Sequence, residues 1–274
     1  MSYLESLFNI KEKVVVITGG SGILGNKMAE GLMKAGAKVI ILGTSDEKLK
    51  LKVNTLKKIS HDILGLKCDV LDENSIRNVN EEILKKFNHI DILINAAGGH
   101  VTKAIIGIDQ TIFDLRIEDF GKVTDLNLYG TVLPTLVFGK SMAEQKSGSI
   151  INVSSMATQR AITRAVGYSA AKAAVENFTR WLAVEMAQKF GNGIRVNAIA
   201  PGFFLTEQNK EILTNEDGSL TERGKTILNL TPFNRFGNPD ELIGTILWLA
   251  SDASKFVTGT IVPIDGGFSA YSGV

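Results

Sequence analysis

A short β-branched run, Lys13-Val14-Val15-Val16-Ile17-Thr18, ends directly in Gly19-Gly20-Ser21-Gly22-Ile23-Leu24-Gly25, and a helical pattern through Met28, Leu32 and Met33 follows. A buried strand, a tight turn and a helix start in that order bring backbone N–H groups and the positive end of a helix dipole to one point, which suits a pyrophosphate. Glycines also serve ordinary loops, so the strand before and the helix after are what give the turn its meaning. Gly19, Ser21, Gly22, Ile23 and Leu24 would line such a dinucleotide turn.

The rest of the chain repeats the pattern. Apolar runs near 13–18, 37–42, 63–68, 90–94, 148–153, 194–199 and 260–264 predict strands, separated mostly by helical patterns near 23–35, 46–60, 73–87, 117–145, 166–190 and 239–251. Continuous apolar strands alternating with helices predict an α/β fold, a single doubly wound parallel sheet of about seven strands with helices on both faces. In such sheets ligands bind beyond the carboxyl ends of the strands, and Thr18, Asn95, Ser155 and Pro201 all closely follow strand ends. With 274 residues, 44% of them hydrophobic, one domain over 1–274 is expected. The net charge of +1 offers no basic stripe for nucleic acid or an anionic membrane. Neither a signal peptide nor a spanning helix fits the N-terminal residues, and a cytoplasmic location is expected. The single cysteine, Cys68, ends a predicted buried strand, where it acts as a small apolar residue and suits a reducing compartment.

A second feature carries chemistry. In Gly167-Tyr168-Ser169-Ala170-Ala171-Lys172 a tyrosine precedes a lysine by one helical turn, and Ser155 lies thirteen residues upstream. Residues four apart share a helix face, so an ammonium can be held beside a phenol. Bringing a phenol from ~10 to working pH asks for about 4 kcal/mol of differential stabilisation. A unit charge at ~4 Å in an effective dielectric of ~20 supplies about that much.

Thr18-Gly19 with Gly25, Asp69 after the third strand, Asn95-Ala96-Ala97-Gly98, Asn127, Ser155, Tyr168, Lys172, and Pro201-Gly202 with Thr206 together resemble the short-chain dehydrogenase/reductase family over essentially the whole chain. The resemblance implies hydride transfer between a carbon-bound hydroxyl or carbonyl and a nicotinamide. It gives Tyr168 the role of proton donor and acceptor, Ser155 that of binding the reacting oxygen, and Lys172 that of stabilising the phenolate and holding the nicotinamide ribose. Asn127 resembles a helix asparagine whose backbone carbonyl holds a water in a proton relay, and Ser154 is read as structural. For the cofactor, Asp69 with its neighbours Cys68 and Val70 would meet the adenine. Asn95 would fasten the central strand and, with Ala96, Ala97 and Gly98, line the adenosine ribose. Thr206 and the backbone after Pro201, through Gly202 and Phe204, would hold the carboxamide. Asp265-Gly266-Gly267 matches a family motif assigned to packing and assembly.

Two departures from the family pattern stand out. Ile23 occupies the place of the middle glycine of TGxxxGxG, with Gly22 one position early, so the turn is expected to survive with altered local backbone. Gly43 stands where NAD-preferring relatives place an acidic residue, and no arginine replaces it at Gly22 or Thr44. With Thr44, Ser45 and Lys48 able to meet a 2′-phosphate, the balance falls toward NADP(H), with NAD(H) left open.

The stretches at 98–103, 152–156, 201–209 and 266–274 resemble the D-mannonate oxidoreductase (fructuronate reductase) and gluconate 5-dehydrogenase-like group within the family. A sugar acid needs a cation for its carboxylate and polar groups for its hydroxyls, and His100, Lys103, Met156, Arg160, Arg164, Phe203 and Gln208 are the candidates. The alternatives are gluconate oxidation, another polyol or ketone, or a β-ketoacyl thioester. A nucleotide-binding module without catalysis is opposed by the intact Ser155, Tyr168 and Lys172. His100 has no companion set for a metal, and none is expected. The segment 203–230 resembles the family's substrate cover, and a homotetramer through the helices near 117–145 and 166–190 is implied by the resemblance.

Overall fold

Seven strands form one parallel sheet: Val14–Thr18 (β1), Lys38–Gly43 (β2), Ile63–Lys67 (β3), Ile92–Asn95 (β4), Gly148–Val153 (β5), Ile194–Pro201 (β6) and Ile261–Ile264 (β7). Their order is β3-β2-β1-β4-β5-β6-β7 in this computed structural model, which describes residues 2–206 and 210–274. β1 is flanked on both edges, by β2 with Val15 beside Val39 and by β4 with Val15 beside Ile92. All five of its residues are buried. Val15 and Ile17 point into one core and Val14 and Val16 into the other, which is why the strand is apolar throughout rather than alternating.

The helices are Tyr3–Leu7 (α1), Ile23–Lys34 (α2), Asp46–Leu56 (α3), Glu73–Phe87 (α4), Ile117–Thr124 (α5), Gly130–Gln145 (α6), Val166–Phe190 (α7), Lys210–Leu213 (α8), Glu222–Asn229 (α9) and Ile243–Ala250 (α10). One face of the sheet is covered by Met28 and Leu32 of α2, Leu49 of α3 and Ile246 of α10. The other is covered by Ile76 and Ile83 of α4, Phe138 and Met142 of α6, and Leu182 and Met186 of α7. The strand order reverses between β1 and β4, so the crevice of the switch point opens beyond their carboxyl ends.

Three expected helices differ. The helix expected over 117–145 is interrupted by a π-helical turn at Asp125–Tyr129, which separates α5 from α6. The helix expected over 46–60 stops at Leu56, and the one expected from 239 begins as a 3₁₀ turn, Pro239–Leu242. There Pro239 follows the Asn238 cap, whose side chain accepts the Asp240 N–H at 3.0 Å.

The strand ends around the crevice are pinned by a buried polar ladder. Asn95 Nδ2 donates to Thr135 Oγ1 at 2.8 Å and to Asn152 Oδ1 at 2.9 Å, and Asn152 Nδ2 donates to Thr179 Oγ1 at 2.8 Å. The ladder ties β4 and β5 to α6 and α7, and all four side chains are buried. Removing any one would strand a partner in a low-dielectric interior.

Candidate active site

Tyr168 lies in the first turn of α7 with Lys172 one turn on, and Ser155 follows β5. Ser155 opens a 3₁₀ turn, Met156–Thr158, and its Oγ accepts the Ala157 N–H at 3.2 Å. The Lys172 ammonium stands 5.7 Å from the centroid of the Tyr168 ring and donates to the Val153 carbonyl at 2.7 Å. Burial pulls the Lys172 ammonium down to about 8. The same burial pushes the Tyr168 phenol up, and only the interaction with the Ser155 hydroxyl opposes it. The expected lowering of the phenol by the lysine is therefore reversed in this arrangement. Desolvation of the phenolate outweighs an ammonium that lies over the ring face and donates elsewhere.

The Ser155 segment is held from below by Glu176, one turn beyond Lys172. Its Oε1 accepts the Ser154 hydroxyl at 2.9 Å and the Thr158 hydroxyl at 2.6 Å, and Arg180 approaches its Oε2 at 3.2 Å. Ser154 is thus structural, as expected. The π turn places Asn127 opposite. Its Nδ2 donates to the carbonyls of Gly99 and Val123 at 2.8 Å each, and its Oδ1 accepts the Gly99 N–H at 2.9 Å. A Cβ on Gly98 would lie 2.7 Å from Asn127 Oδ1 and 3.2 Å from Lys172 Nζ, so glycine there lets the loop approach both. The Asn127 carbonyl accepts the Thr131 hydroxyl at 3.0 Å. A π turn adds a residue to the helix without ending it and recurs where helices carry function.

The glycine turn forms a cradle. Gly19 takes φ +63°, and a Cβ on it would stand 2.8 Å from the carbonyl of Ala96 and the nitrogen of Ala97. Thr18 Oγ1 accepts the Ala96 and Ala97 N–H groups at 3.1 Å each, which clamps the loop after β4 to the turn. Gly22 precedes α2 without a side-chain cap, so the first N–H groups of the helix, at Ile23 and Leu24, lack an intrahelical partner. Ile23 is the first helical residue and leaves that start intact, and a Cβ at Gly25 would meet the Gly19 carbonyl at 2.5 Å. A pyrophosphate fits this backbone.

At the end of β2 the Ser21 hydroxyl occupies the space beside Gly43, 2.6 Å from where a Cβ would stand. Thr44 is exposed, and Ser45 caps α3 by accepting the Lys48 N–H at 3.3 Å. Asp69 is exposed and accepts the Leu71 N–H at 2.9 Å, with Val70 buried beside it. Cys68 is buried, with its thiol pushed up to about 11 by desolvation, which makes it inert. Asn95 is fully enclosed and its side chain fastens β4 to β5 and α6, whereas Ala96 and Ala97 are part-exposed and Gly98 is exposed. Gly202 follows Pro201 and donates its N–H to Ile264 at 2.9 Å. Thr206 is half-buried. Phe204 packs in the core.

The substrate candidates separate. The His100 ring packs on Tyr168 with centroids 4.4 Å apart. Burial, then the charges of Arg223 and Lys172, push its imidazole down. Met156 is buried directly after Ser155. Arg164 donates Nε to the Ile106 carbonyl at 2.6 Å. Arg160 donates Nε and Nη2 to the carbonyls of Ser269 and Tyr271 at 3.0 and 2.9 Å, which ties it to the C-terminal tail. Lys103 lines a different hollow with Gln110, Asp114 and Asp119. Phe203 packs edge-on against Phe268 at 5.3 Å. Gln208 lies outside the described residues.

The family model described as enoyl-(acyl carrier protein) reductase, of the short-chain alcohol dehydrogenase type, matches residues 20–269. The chain belongs to the short-chain dehydrogenase/reductase family. Within it, the chain is 45% identical to the uncharacterised oxidoreductase UxuB of Bacillus subtilis (strain 168), over 97% of this chain and 98% of that one. A solved structure of a provisionally assigned D-mannonate oxidoreductase from Haemophilus influenza, with bound NAD, is 39% identical and superposes with a TM-score of 0.90, covering 97% of this chain and 98% of that one. A gluconate 5-dehydrogenase from Burkholderia cenocepacia J2315, in complex with NADP and tartrate, is 28% identical with a TM-score of 0.86, covering 98% and 100%.

This short-chain dehydrogenase/reductase has no helix, among the described residues, long and apolar enough to cross a membrane, and no group of three or more His, Cys, Asp or Glu placed to hold a metal. Sequence reasoning missed Glu176 and Arg223. The signal available for Glu176 was its i+4 spacing from Lys172 on the same face of α7. Arg223 had none, because its place depends on how α9 packs.

Proposed function

We propose that this enzyme interconverts a sugar-acid hydroxyl and ketone, D-mannonate and D-fructuronate, with NAD(H) or NADP(H). The observation that carries the reaction class is the Tyr168, Ser155 and Lys172 set beside the glycine cradle. In the reducing direction the Tyr168 hydroxyl gives its proton to the carbonyl oxygen, and Ser155 donates a hydrogen bond to the same oxygen. The nicotinamide, when bound, supplies the hydride that the carbonyl carbon accepts. Lys172, with its ammonium lowered to about 8, can pass a proton toward the phenolate at working pH. Asn127 holds the Gly98–Gly99 loop beside it. The turn from Gly19 to Leu24 holds the pyrophosphate, and Ser21, Thr44 and Ser45 border the adenosine ribose. No carboxylate at Gly43 repels a 2′-phosphate, so the ribose end accepts either cofactor. His100, with its ring tilted against that of Tyr168, is placed to meet a substrate hydroxyl.

The substrate reading is supported by the likeness to the Haemophilus structure, and gluconate 5-dehydrogenation is the second reading, supported by the Burkholderia likeness. Purified enzyme offered D-fructuronate and 5-keto-D-gluconate in parallel, with NADH and with NADPH, separates them. The proposal expects the higher kcat/KM with fructuronate. Turnover of the keto-gluconate alone would transfer the enzyme to the second reading.

A further inference from the structure

Eight arginines occur in the chain, and six are accounted for. Arg77, Arg116, Arg180 and Arg235 each meet a carboxylate, while Arg160 and Arg195 donate to backbone carbonyls. Arg164 and Arg223 each commit a single guanidinium nitrogen, Nε of Arg164 to the Ile106 carbonyl and Nη1 of Arg223 to the Thr163 hydroxyl, and neither has a carboxylate within ion-pair distance among the described residues. They come from different segments. Arg164 is in the loop before α7, four residues ahead of Tyr168, and Arg223 is in the first turn of α9. Arg223 Nη1 lies 3.4 Å from Thr163 Oγ1, which sets the second guanidinium against the loop that carries the first.

Arg164 is held there under strain. It adopts φ +73°, the left-handed region that a long side chain rarely enters. Two bonds to Ile106 fix it: Arg164 Nε donates to the Ile106 carbonyl at 2.6 Å, and the Ile106 N–H donates to the Arg164 carbonyl at 3.0 Å. Arg223 is fixed through its helix. Thr221 caps α9 by accepting the Gly224 N–H at 3.1 Å and donates its hydroxyl to the Ile212 carbonyl at 2.7 Å.

We infer that Arg164 and Arg223 form the carboxylate-binding end of the active-site cleft, gripping the acid group of the substrate while its carbonyl lies against Tyr168 and Ser155. This rests on the sugar-acid reading and deepens it. Both guanidiniums are half-buried on neighbouring segments, and with no carboxylate beside either among the described residues their like charges favour the arrival of an anion. In keeping with that, burial and then the Arg164 charge push the Arg223 guanidinium down, and Arg223 in turn lowers His100 on the face of Tyr168. The remaining N–H groups of both arginines can form the planar, paired hydrogen bonds that a carboxylate accepts. A neutral sugar leaves them unsatisfied, which is how a site of this kind rejects it.

The test compares Arg223→Gln and Arg164→Gln with wild type on D-fructuronate, on D-fructose, which carries a hydroxymethyl group in place of the acid, and on D-fructose 6-phosphate. The expected result is a KM for fructuronate raised by about 10- to 100-fold with kcat little changed, and no change for fructose. Arg223→Lys should recover part of the loss. Equal losses on fructuronate and fructose, or no loss on fructuronate, would overturn the inference, and so would a phosphate ester reduced better than the uronate. If wild type turns over no uronate, the mannonate reading fails separately, and calorimetric titration with D-mannonate against D-mannitol decides the site. Binding of the acid alone, lost in Arg223→Gln, upholds it. Equal binding of both ligands, or binding of neither, overturns it.

Discussion

Lys172 is a buried cation with no carboxylate partner among the described residues, and replacing it by methionine measures what its burial does. Its ordinary value of 10.5 falls to about 8, which corresponds to about 3 kcal/mol of stability withheld at neutral pH. Lys172→Met keeps most of the aliphatic stem and removes the charge, but it leaves the Val153 carbonyl without the donor now at 2.7 Å, a loss of about 1–3 kcal/mol. The net at pH 7 is a variant between about equal in stability and about 2 kcal/mol more stable. The pH dependence is sharper. Between about 8 and 10.5 the unfolded chain holds the lysine proton and the folded chain does not, so wild-type stability rises with pH, by up to about 1.4 kcal/mol per pH unit. Below about 8 both states are protonated and the full penalty applies. The variant lacks this contribution, so its advantage should shrink steadily as pH is raised through that window. Urea unfolding of both proteins at several pH values and fixed concentration reads the difference. A stability difference that stays flat from pH 7 to 10 would refute the claim that Lys172 is buried as a depressed ammonium.

Glu176→Ala should remove the acceptor shared by Ser154 and Thr158, destabilise the fold by about 2–4 kcal/mol and lower kcat. Glu176→Gln should retain most of both, with thermal unfolding and steady-state kinetics as the readouts. Gly43→Asp requires only a shift of the Ser21 hydroxyl, and its carboxylate should repel a 2′-phosphate. NADPH should then bind at least ~10-fold more weakly while NADH binding holds, as read by fluorescence titration.

The fold was legible because its signals are local. β1 is apolar at every position since alternate residues feed two cores, and each predicted strand lies within a few residues of an observed one. The Tyr168 and Lys172 pairing was legible from helical spacing alone. The direction of the lysine was not, since the Val153 carbonyl that accepts its hydrogen bond belongs to a neighbouring strand nineteen residues away. The break at Asn127 was hidden because a π turn keeps the apolar rhythm of a helix and shows itself only in the backbone ladder. The contact of Arg160 with a tail more than a hundred residues on was not legible from its place after Ser155. Arg223 was invisible because α9 is seated by contacts such as the close approach of Gly224 to the Leu213 carbonyl, which no spacing rule anticipates.

The central claim is that Tyr168 moves the proton in a nicotinamide-linked reduction of a sugar acid. Loss of reduced-nicotinamide absorbance with D-fructuronate, followed for wild type and Tyr168→Phe alongside cofactor binding, tests it most directly. Wild type should turn over, and kcat should fall by about 10²–10⁴-fold in the variant with cofactor affinity preserved. Near-normal turnover by Tyr168→Phe would contradict it.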